Sequence, residues 1–220
     1  MNEYYTIKNE CSAEITEKKS RFIATVRPVA SEEDALNFIT EIKKKNFDAR
    51  HNCSAYIILE PVNTGNNIEK VFRDVEKCSD DGEPSKTAGS PMLEVIKGSG
   101  LKNVAVVVTR YFGGILLGTG GLVRAYSQAA AEGIEAAEKV RMRLLNKIKL
   151  ITDYTSYGKF SYLAQESDAV IIDTQYTDIV TCICLCDDIA LGKIKNKMAE
   201  ITAGKCIIDL IDRDYYSTEI

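Results

Sequence analysis

Histidine is scarce in this chain of 220 residues, because His51 is its single histidine. Neither a multi-histidine zinc site nor a histidine-rich two-metal peptidase centre can be built from one imidazole. A surplus of positive charge is also missing. The part up to residue 140 has 18 basic and 20 acidic residues, and the rest has 10 and 12. General binding of nucleic acid through bulk charge is therefore unsupported, although a local basic patch remains compatible with these totals.

Long apolar runs are absent too. Charged residues occupy the amino-terminal segment where a signal peptide needs an apolar core, and no later run approaches the length of a membrane span. The seven cysteines are an odd number without the density of a disulfide-rich scaffold. We therefore expect a cytoplasmic protein with reduced thiols and no membrane partner.

The hydrophobic content of 45% is ample for packed cores. Ser31 is a hydroxyl cap followed by acidic residues, which predicts a helix over 32–45. Ser90 with Pro91 similarly predicts the start of a short helix that ends before Gly98. The apolar run 103–108 is typical of a central strand covered on both faces. The other predicted elements are extended chain over 13–28, a strand over 51–59, a loop over 63–67 and a helix over 122–140.

Beyond Arg141 the pattern restarts as βαββαβ, the order of a ferredoxin-like domain. The predicted strands are 144–151, 169–176, 179–186 and 205–212, and the predicted helices are 156–166 and 188–202. We therefore expect an α+β protein with two domains, residues 1–140 and residues 141–220.

A glycine-rich segment after the central strand is the most informative feature of the sequence. A strand, a glycine-rich turn and a helix together make a recipe for anion binding, because glycines admit close backbone approach and the helix start presents free amides. Arg110 and Arg124 flank the segment and could add charge-assisted contacts. The alternative is a packing device that lets helix and sheet touch, and both interpretations stay open. The glycines concerned are Gly113, Gly114, Gly118, Gly120 and Gly121.

An acidic turn precedes the short helix. Asp80, Asp81 and Glu83 are weak candidates for holding a hard cation such as magnesium, and the alternative is an acidic surface turn. The turn does not match a Walker A loop, because Ser85 stands where glycine must precede Lys86.

His51 and Cys53 share one face of their predicted strand, which permits a Cys-His nucleophile as well as a structural pair. Scattered aromatic residues, Phe112 among them, could offer stacking surfaces for RNA bases, although such residues more often belong to a core or rim.

Four motifs in a fixed order resemble the bacterial YigZ branch of the IMPACT family: SRFIA, HNCSAYI, SDDGEPSKTAGSPML and VVVTRYFGGILLGTGGLVRAY. The resemblance implies an amino-terminal α/β domain of the ribosomal-protein-S-five second-domain type and a ferredoxin-like carboxy-terminal domain. It also implies a role in translational control and carries no established catalytic residues. Two positions depart from the family pattern, because Lys86 replaces a glycine and Leu116 replaces a lysine. If the two loops adjoin, we expect Lys86 to restore the charge that is missing at Leu116.

We therefore expect a non-enzymatic regulator of translation, without a cofactor, that binds RNA, the ribosome or a translation-related protein partner. The candidate binding cleft comprises His51, Lys86, Arg110, the five glycines and Arg124. A different class of function is a hydrolase or phosphotransfer enzyme with a glycine-loop anion site and an acidic cation site. A third is a scaffold whose carboxy-terminal sheet docks a partner.

Overall fold

A computed structural model describes residues 2–62 and 71–217, so the loop predicted over 63–67 lies outside the described residues. These residues form two compact units. One comprises Tyr4–Val62 with Val71–Arg141, and the other consists mainly of Met142 and the described residues that follow it. Within the described ranges, no helix is long and apolar enough to cross a membrane.

The elements alternate along the chain in the order β1 Glu3–Ile7, β2 Cys11–Glu17, β3 Ser20–Pro28, α1 Glu32–Lys45, β4 His51–Val62, β5 Val71–Ser79, α2 Gly89–Ser99, β6 Val104–Tyr111, α3 Gly118–Glu135, β7 Lys139–Thr152, α4 Tyr154–Glu166, β8 Val170–Tyr176, β9 Val180–Cys186, α5 Asp188–Thr202 and β10 Ile207–Ser217. The first unit contains an antiparallel sheet in the order β2-β3-β6-β4-β5.

β6 is the central strand of this sheet, as its continuous apolar run predicts. Val104, Val106 and Val108 belong to a buried cluster with α2 and α3, whereas Ala105 and Val107 pack in a second cluster with α1. Alternate side chains of a strand point to opposite faces. The sheet is therefore covered on both sides, which explains why β6 has no polar face.

Side chains that accept backbone N–H groups fix the starts of α1 and α2. The Ser31 hydroxyl accepts the Asp34 N–H at 3.1 Å and caps α1, as predicted. The predicted cap at Ser90 is wrong, because α2 starts at Gly89 and the Asp80 carboxylate accepts the N–H groups at its start. α3 begins at Gly118, earlier than the predicted residue 122, so three glycines of the segment lie in its first turn.

The observed strands differ from the predicted ones at three places. β1 and β5 were not predicted. The extended stretch over 13–28 is a hairpin of β2 and β3, whose turn holds Lys18 and Lys19 at φ values of 46° and 66°.

The carboxy-terminal unit has the βαββαβ order and the ferredoxin-like strand order β10-β7-β9-β8, with each of these neighbouring pairs antiparallel. Asp153 and Asp187 cap α4 and α5 by accepting backbone N–H groups at 2.8 Å. Alternate residues of β7 and β9 pack with both helices in one buried cluster, which includes Cys182, Cys184 and Cys186. The fold prediction is confirmed for this domain.

Candidate functional site

Arg110, near the end of β6, belongs to a group of buried polar side chains in the amino-terminal domain. Its side chain is only 8% exposed, and its Nη1 donates to Glu83 Oε1 at 2.6 Å. The Tyr126 hydroxyl donates to the same oxygen at 2.9 Å. Burial above all raises the pKa of Tyr126, so this hydroxyl stays protonated and remains a donor. Glu83 is thus held from two sides by groups on β6 and α3.

The guanidinium of Arg110 is not fully satisfied by this arrangement. Glu83 accepts from Nη1 and not from Nε. The Nε is buried and has no hydrogen-bond partner in the described part of the chain. The rings of Phe22 and Phe112 lie 5.5 and 5.6 Å from the guanidinium carbon and provide cation–π contacts rather than acceptors. A buried donor without a partner costs about 1–3 kcal/mol, and such groups in native proteins call for a specific explanation.

A cavity of about 290 Å³ opens beside this cluster. The buried side chains of Glu83 and Arg110 and the half-buried His51 line its inner part. Exposed residues form its rim: Arg50, Gly82, Pro84, Phe112 and Leu116. The acidic turn and the glycine-rich segment therefore meet at one cavity, a point that the sequence left open.

The three acidic residues of the turn point to different partners. Asp80 accepts the N–H groups of Gly89 at 2.8 Å, of Lys86 at 2.8 Å and of Ala88 at 3.0 Å. Burial opposes its charge, but these three donors outweigh burial and hold the pKa of Asp80 below its usual value. Asp80 therefore fixes the turn and the start of α2.

Asp81 accepts the Asn52 N–H at 2.7 Å and forms an ion pair with Lys43 at 2.6 Å. Because Glu83 is engaged with Arg110, none of the three carboxylates is left to gather around a cation. Across residues 2–62 and 71–217, no group of three His, Cys, Asp or Glu side chains could hold a metal ion. The geometry gives the cation hypothesis for Asp80, Asp81 and Glu83 no support.

His51 and Cys53 both contact the backbone of the acidic turn. His51 Nδ1 lies 2.9 Å from the carbonyl oxygen of Asp81, so this nitrogen carries the proton. The Cys53 thiol is fully buried and donates to the carbonyl of Asp80 at 3.0 Å. Burial above all raises the pKa of Cys53 to about 12. The raised pKa and the hydrogen bond to Asp80 favour a structural role for Cys53 over that of a thiolate nucleophile.

The glycines of the segment have distinct roles. A Cβ on Gly113 would lie 2.0 Å from the carbonyl carbon and oxygen of Lys19, so the close contact with the β2–β3 hairpin requires glycine. Gly114 and Gly118 have φ values of 83° and 71°, which favour glycine. Gly120 faces open space, and Gly121 packs on the Leu117 side chain. The packing interpretation therefore accounts for Gly113, and the backbone conformation accounts for Gly114 and Gly118.

The start of α3 keeps features of an anion site. No side chain caps it, and its first turn contains no acidic residue. These features permit an anion without indicating one, so the role of Gly118, Gly120 and Gly121 in anion binding stays a prediction.

Five exposed cations occur in the β2–β3 turn, just before β4, in the acidic turn and in α3. Lys18, Lys19, Arg50, Lys86 and Arg124 are exposed, and none of them forms an ion pair with a described residue. Lys86 has a φ of 62° and does not line the cavity, whereas Leu116 does. Compensation of Leu116 by Lys86 therefore stays a prediction.

Four cavity residues were not predicted as members of the site: Arg50, Gly82, Pro84 and Leu116. The ion pair between Glu83 and Arg110 was not predicted either. Arg50 precedes His51 directly, and this adjacency was the only sequence signal for it. The pairing of Glu83 depends on how a loop folds over the sheet, which no local pattern reports.

The model of the Impact N-terminal domain matches residues 18–134, and that of a domain of unknown function, DUF1949, matches residues 150–205. IMPACT family member YvyE of Bacillus subtilis is 40% identical over 205 residues, covering 93% of this chain and 89% of that protein. IMPACT family member YigZ of Escherichia coli is 33% identical over 187 residues, covering 85% and 87%.

A crystal structure of a hypothetical protein aligns with 97% of this chain and 100% of its own, at 29% identity and a TM-score of 0.61. This similarity extends over both units of the fold.

Proposed function

Because this chain belongs to the IMPACT family, we propose that it regulates translation by binding RNA of the ribosome or RNA associated with it. The proposed binding site is the cavity between the acidic turn and the glycine-rich segment. We call it the Arg110 cavity. It is defined by His51, Glu83 and Arg110 inside and by Arg50, Gly82, Pro84, Phe112 and Leu116 at its rim.

The single observation that carries this proposal is the unsatisfied guanidinium of Arg110 in the wall of an open cavity. Arg110 lines the cavity, its Nε is buried without a partner, and only its Nη1 donates to a described residue, so the accessible part of the guanidinium has N–H groups left to offer a ligand. The glycine-rich segment would then contribute the cavity wall, through Phe112 and Leu116, rather than a phosphate cradle.

The distribution of charge supports RNA as the ligand. The whole chain has a formal net charge of −4, yet Arg50 at the rim has no ion-pair partner in the described part of the chain, and Lys18 and Lys19 form the turn whose backbone packs on Gly113. A local patch of this kind can bind phosphates even on a mildly acidic protein.

The enzymatic alternative gains nothing from the geometry. Phosphoryl transfer needs carboxylates free to hold a cation, and Asp80 and Asp81 are committed to backbone N–H groups and to Lys43. We therefore keep translational regulation by RNA binding as the proposed function.

Sedimentation of the full chain with ribosomes and with single-stranded RNA, from about 50 to 200 mM salt, tests this proposal. We expect association at low salt that weakens steeply as salt rises. Arg50→Ala should weaken binding and reduce the slope of log affinity against log salt by about 1. The matched control is Arg73→Ala, because Arg73 is exposed in the same domain and pairs with Glu60.

No association with ribosomes or RNA at low salt would overturn the proposal. Equal binding by Arg50→Ala and Arg73→Ala would move the site away from the Arg110 cavity.

A further inference from the structure

We propose that the Arg110 cavity captures one unstacked nucleobase of single-stranded RNA, with the neighbouring phosphate at Arg50. This inference rests on the proposed function and specifies its ligand. It concerns which part of an RNA enters the cavity, and the arrangement of charges and donors decides between a base and a phosphate.

The charge inside the cavity is already balanced. Glu83 neutralises Arg110 through an ion pair of 2.6 Å whose two side chains are 8% and 3% exposed. A phosphodiester anion of the RNA backbone placed there would meet the carboxylate of Glu83 as well as the guanidinium. A neutral group with hydrogen-bonding edges meets no such repulsion, and a nucleobase is such a group.

The hydrogen-bonding groups of the cavity include donors and acceptors. Arg110 lines the cavity, and of its two terminal nitrogens only Nη1 donates to a described residue, so the guanidinium supplies donors there. His51 donates from Nδ1 to the carbonyl of Asp81, so in the neutral imidazole Nε2 is an acceptor. A phosphate oxygen can use only the donors, whereas a base presents a carbonyl or ring nitrogen together with N–H groups.

The rim provides a surface on which a base can stack. Phe112 is 50% exposed, and its ring lies 5.6 Å from the guanidinium carbon of Arg110. Aromatic rings and arginine planes are the groups on which proteins stack splayed-out bases. The volume of about 290 Å³ lies just below the range of ligand pockets, about 300 to 1,000 Å³, and suits a single base rather than a longer segment.

The phosphate next to the captured base would lie outside the cavity. Arg50 is exposed at the rim and has no ion-pair partner among residues 2–62 and 71–217. A base held within a duplex cannot reach the interior, so the site selects single strands.

Fluorescence anisotropy with the full chain tests this inference with two probes. One probe is a short single-stranded RNA of mixed sequence, and the other is a ribose-phosphate backbone of equal length without bases. We expect the abasic probe to bind about 5- to 150-fold more weakly, the range that loss of one stacked base implies.

Phe112→Ala should weaken binding of the RNA by a similar factor without changing its salt dependence, and Phe112→Tyr should retain most of it. Tyr5→Ala is the matched control, because Tyr5 is 48% exposed in the same domain and does not line the cavity. It should leave affinity unchanged. If Phe112→Ala disturbs the fold, the comparison of the two probes on the unmodified chain decides the question.

The outcomes separate this inference from the proposed function. Equal affinity for the two probes, or equal affinities of Phe112→Ala and Tyr5→Ala, would overturn base capture while leaving RNA binding intact. Failure of the unmodified chain to bind either probe or ribosomes at low salt would overturn both.

Discussion

Replacing Glu83 by alanine should destabilise the amino-terminal domain far more than the loss of an ordinary ion pair. Glu83 and Arg110 are 3% and 8% exposed at their side chains, so the substitution leaves the positive charge of Arg110 buried and uncompensated. Removing one partner of a buried pair typically costs about 3–5 kcal/mol. Tyr126 also loses the acceptor of its hydroxyl, which adds about 1 kcal/mol.

Urea and thermal unfolding of the full chain, followed by circular dichroism, measure this effect. The expected fall in melting temperature is about 10–20 °C. Glu60→Ala is the control, because Glu60 pairs with Arg73 at the surface, with side-chain exposures of 42% and 67%. An exposed pair contributes at most about 1 kcal/mol.

A loss for Glu83→Ala no larger than that for Glu60→Ala would refute the reasoning. The double variant Glu83→Leu with Arg110→Met removes both charges and should recover most of the stability. If the double variant is as unstable as Glu83→Ala, an uncompensated charge is not the cause of the loss.

Four further substitutions test other parts of the domain by the urea midpoint, and one of them also by RNA affinity. Gly113→Ala should lower the free energy of unfolding by about 3 kcal/mol or more, because the added Cβ overlaps the Lys19 backbone. Gly120 faces open space, so Gly120→Ala should be neutral or stabilising by up to about 1 kcal/mol. Equal effects of the two substitutions would contradict the packing role of Gly113. Asp80→Asn should lower the free energy of unfolding by about 1 kcal/mol at pH 7. Because the folded-state pKa of Asp80 is lowered, its contribution is complete above the unfolded pKa of about 3.9 and is lost as pH falls through the folded-state value. A stability difference between variant and unmodified chain that does not change with pH would contradict this. Lys86→Gly should stabilise by about 1 kcal/mol at its φ of 62° and should weaken RNA binding if Lys86 compensates for Leu116, and unchanged affinity would reject that compensation.

Local patterns predicted the elements that have strong local causes. α1 carries its own cap at Ser31, and its observed bounds match the prediction. β6 is apolar on both faces because helices cover both. The carboxy-terminal domain follows from alternating strands and helices, whose caps at Asp153 and Asp187 also lie within the local sequence.

Elements whose stability comes from distant partners were missed. β5 is an edge strand with β4 as its one neighbour, so charged residues such as Arg73 and Asp74 interrupt its apolar pattern. The start of α2 is capped by Asp80 across a turn, which is why Ser90 misled the prediction. Glycines are poor helix formers, so the start of α3 at Gly118 was placed too late.

The site was predicted only in part for the same reason. His51 and Arg110 face each other across neighbouring strands, and this register brings two predicted residues together. Glu83 enters the site from a loop and changes its chemistry by neutralising Arg110. That contact joins residues far apart in the sequence, and only the folded arrangement reveals it.

The most direct test of the Arg110 cavity as the RNA site is a nuclear magnetic resonance titration of the ¹⁵N-labelled full chain with short single-stranded RNA. We expect the backbone amide shifts to concentrate at residues 50–51, 82–83 and 110–116, with the Arg110 Nε–H signal moving as the guanidinium contacts the RNA. Shifts confined to the carboxy-terminal sheet, or no shifts at RNA concentrations that saturate binding, would contradict the proposed site.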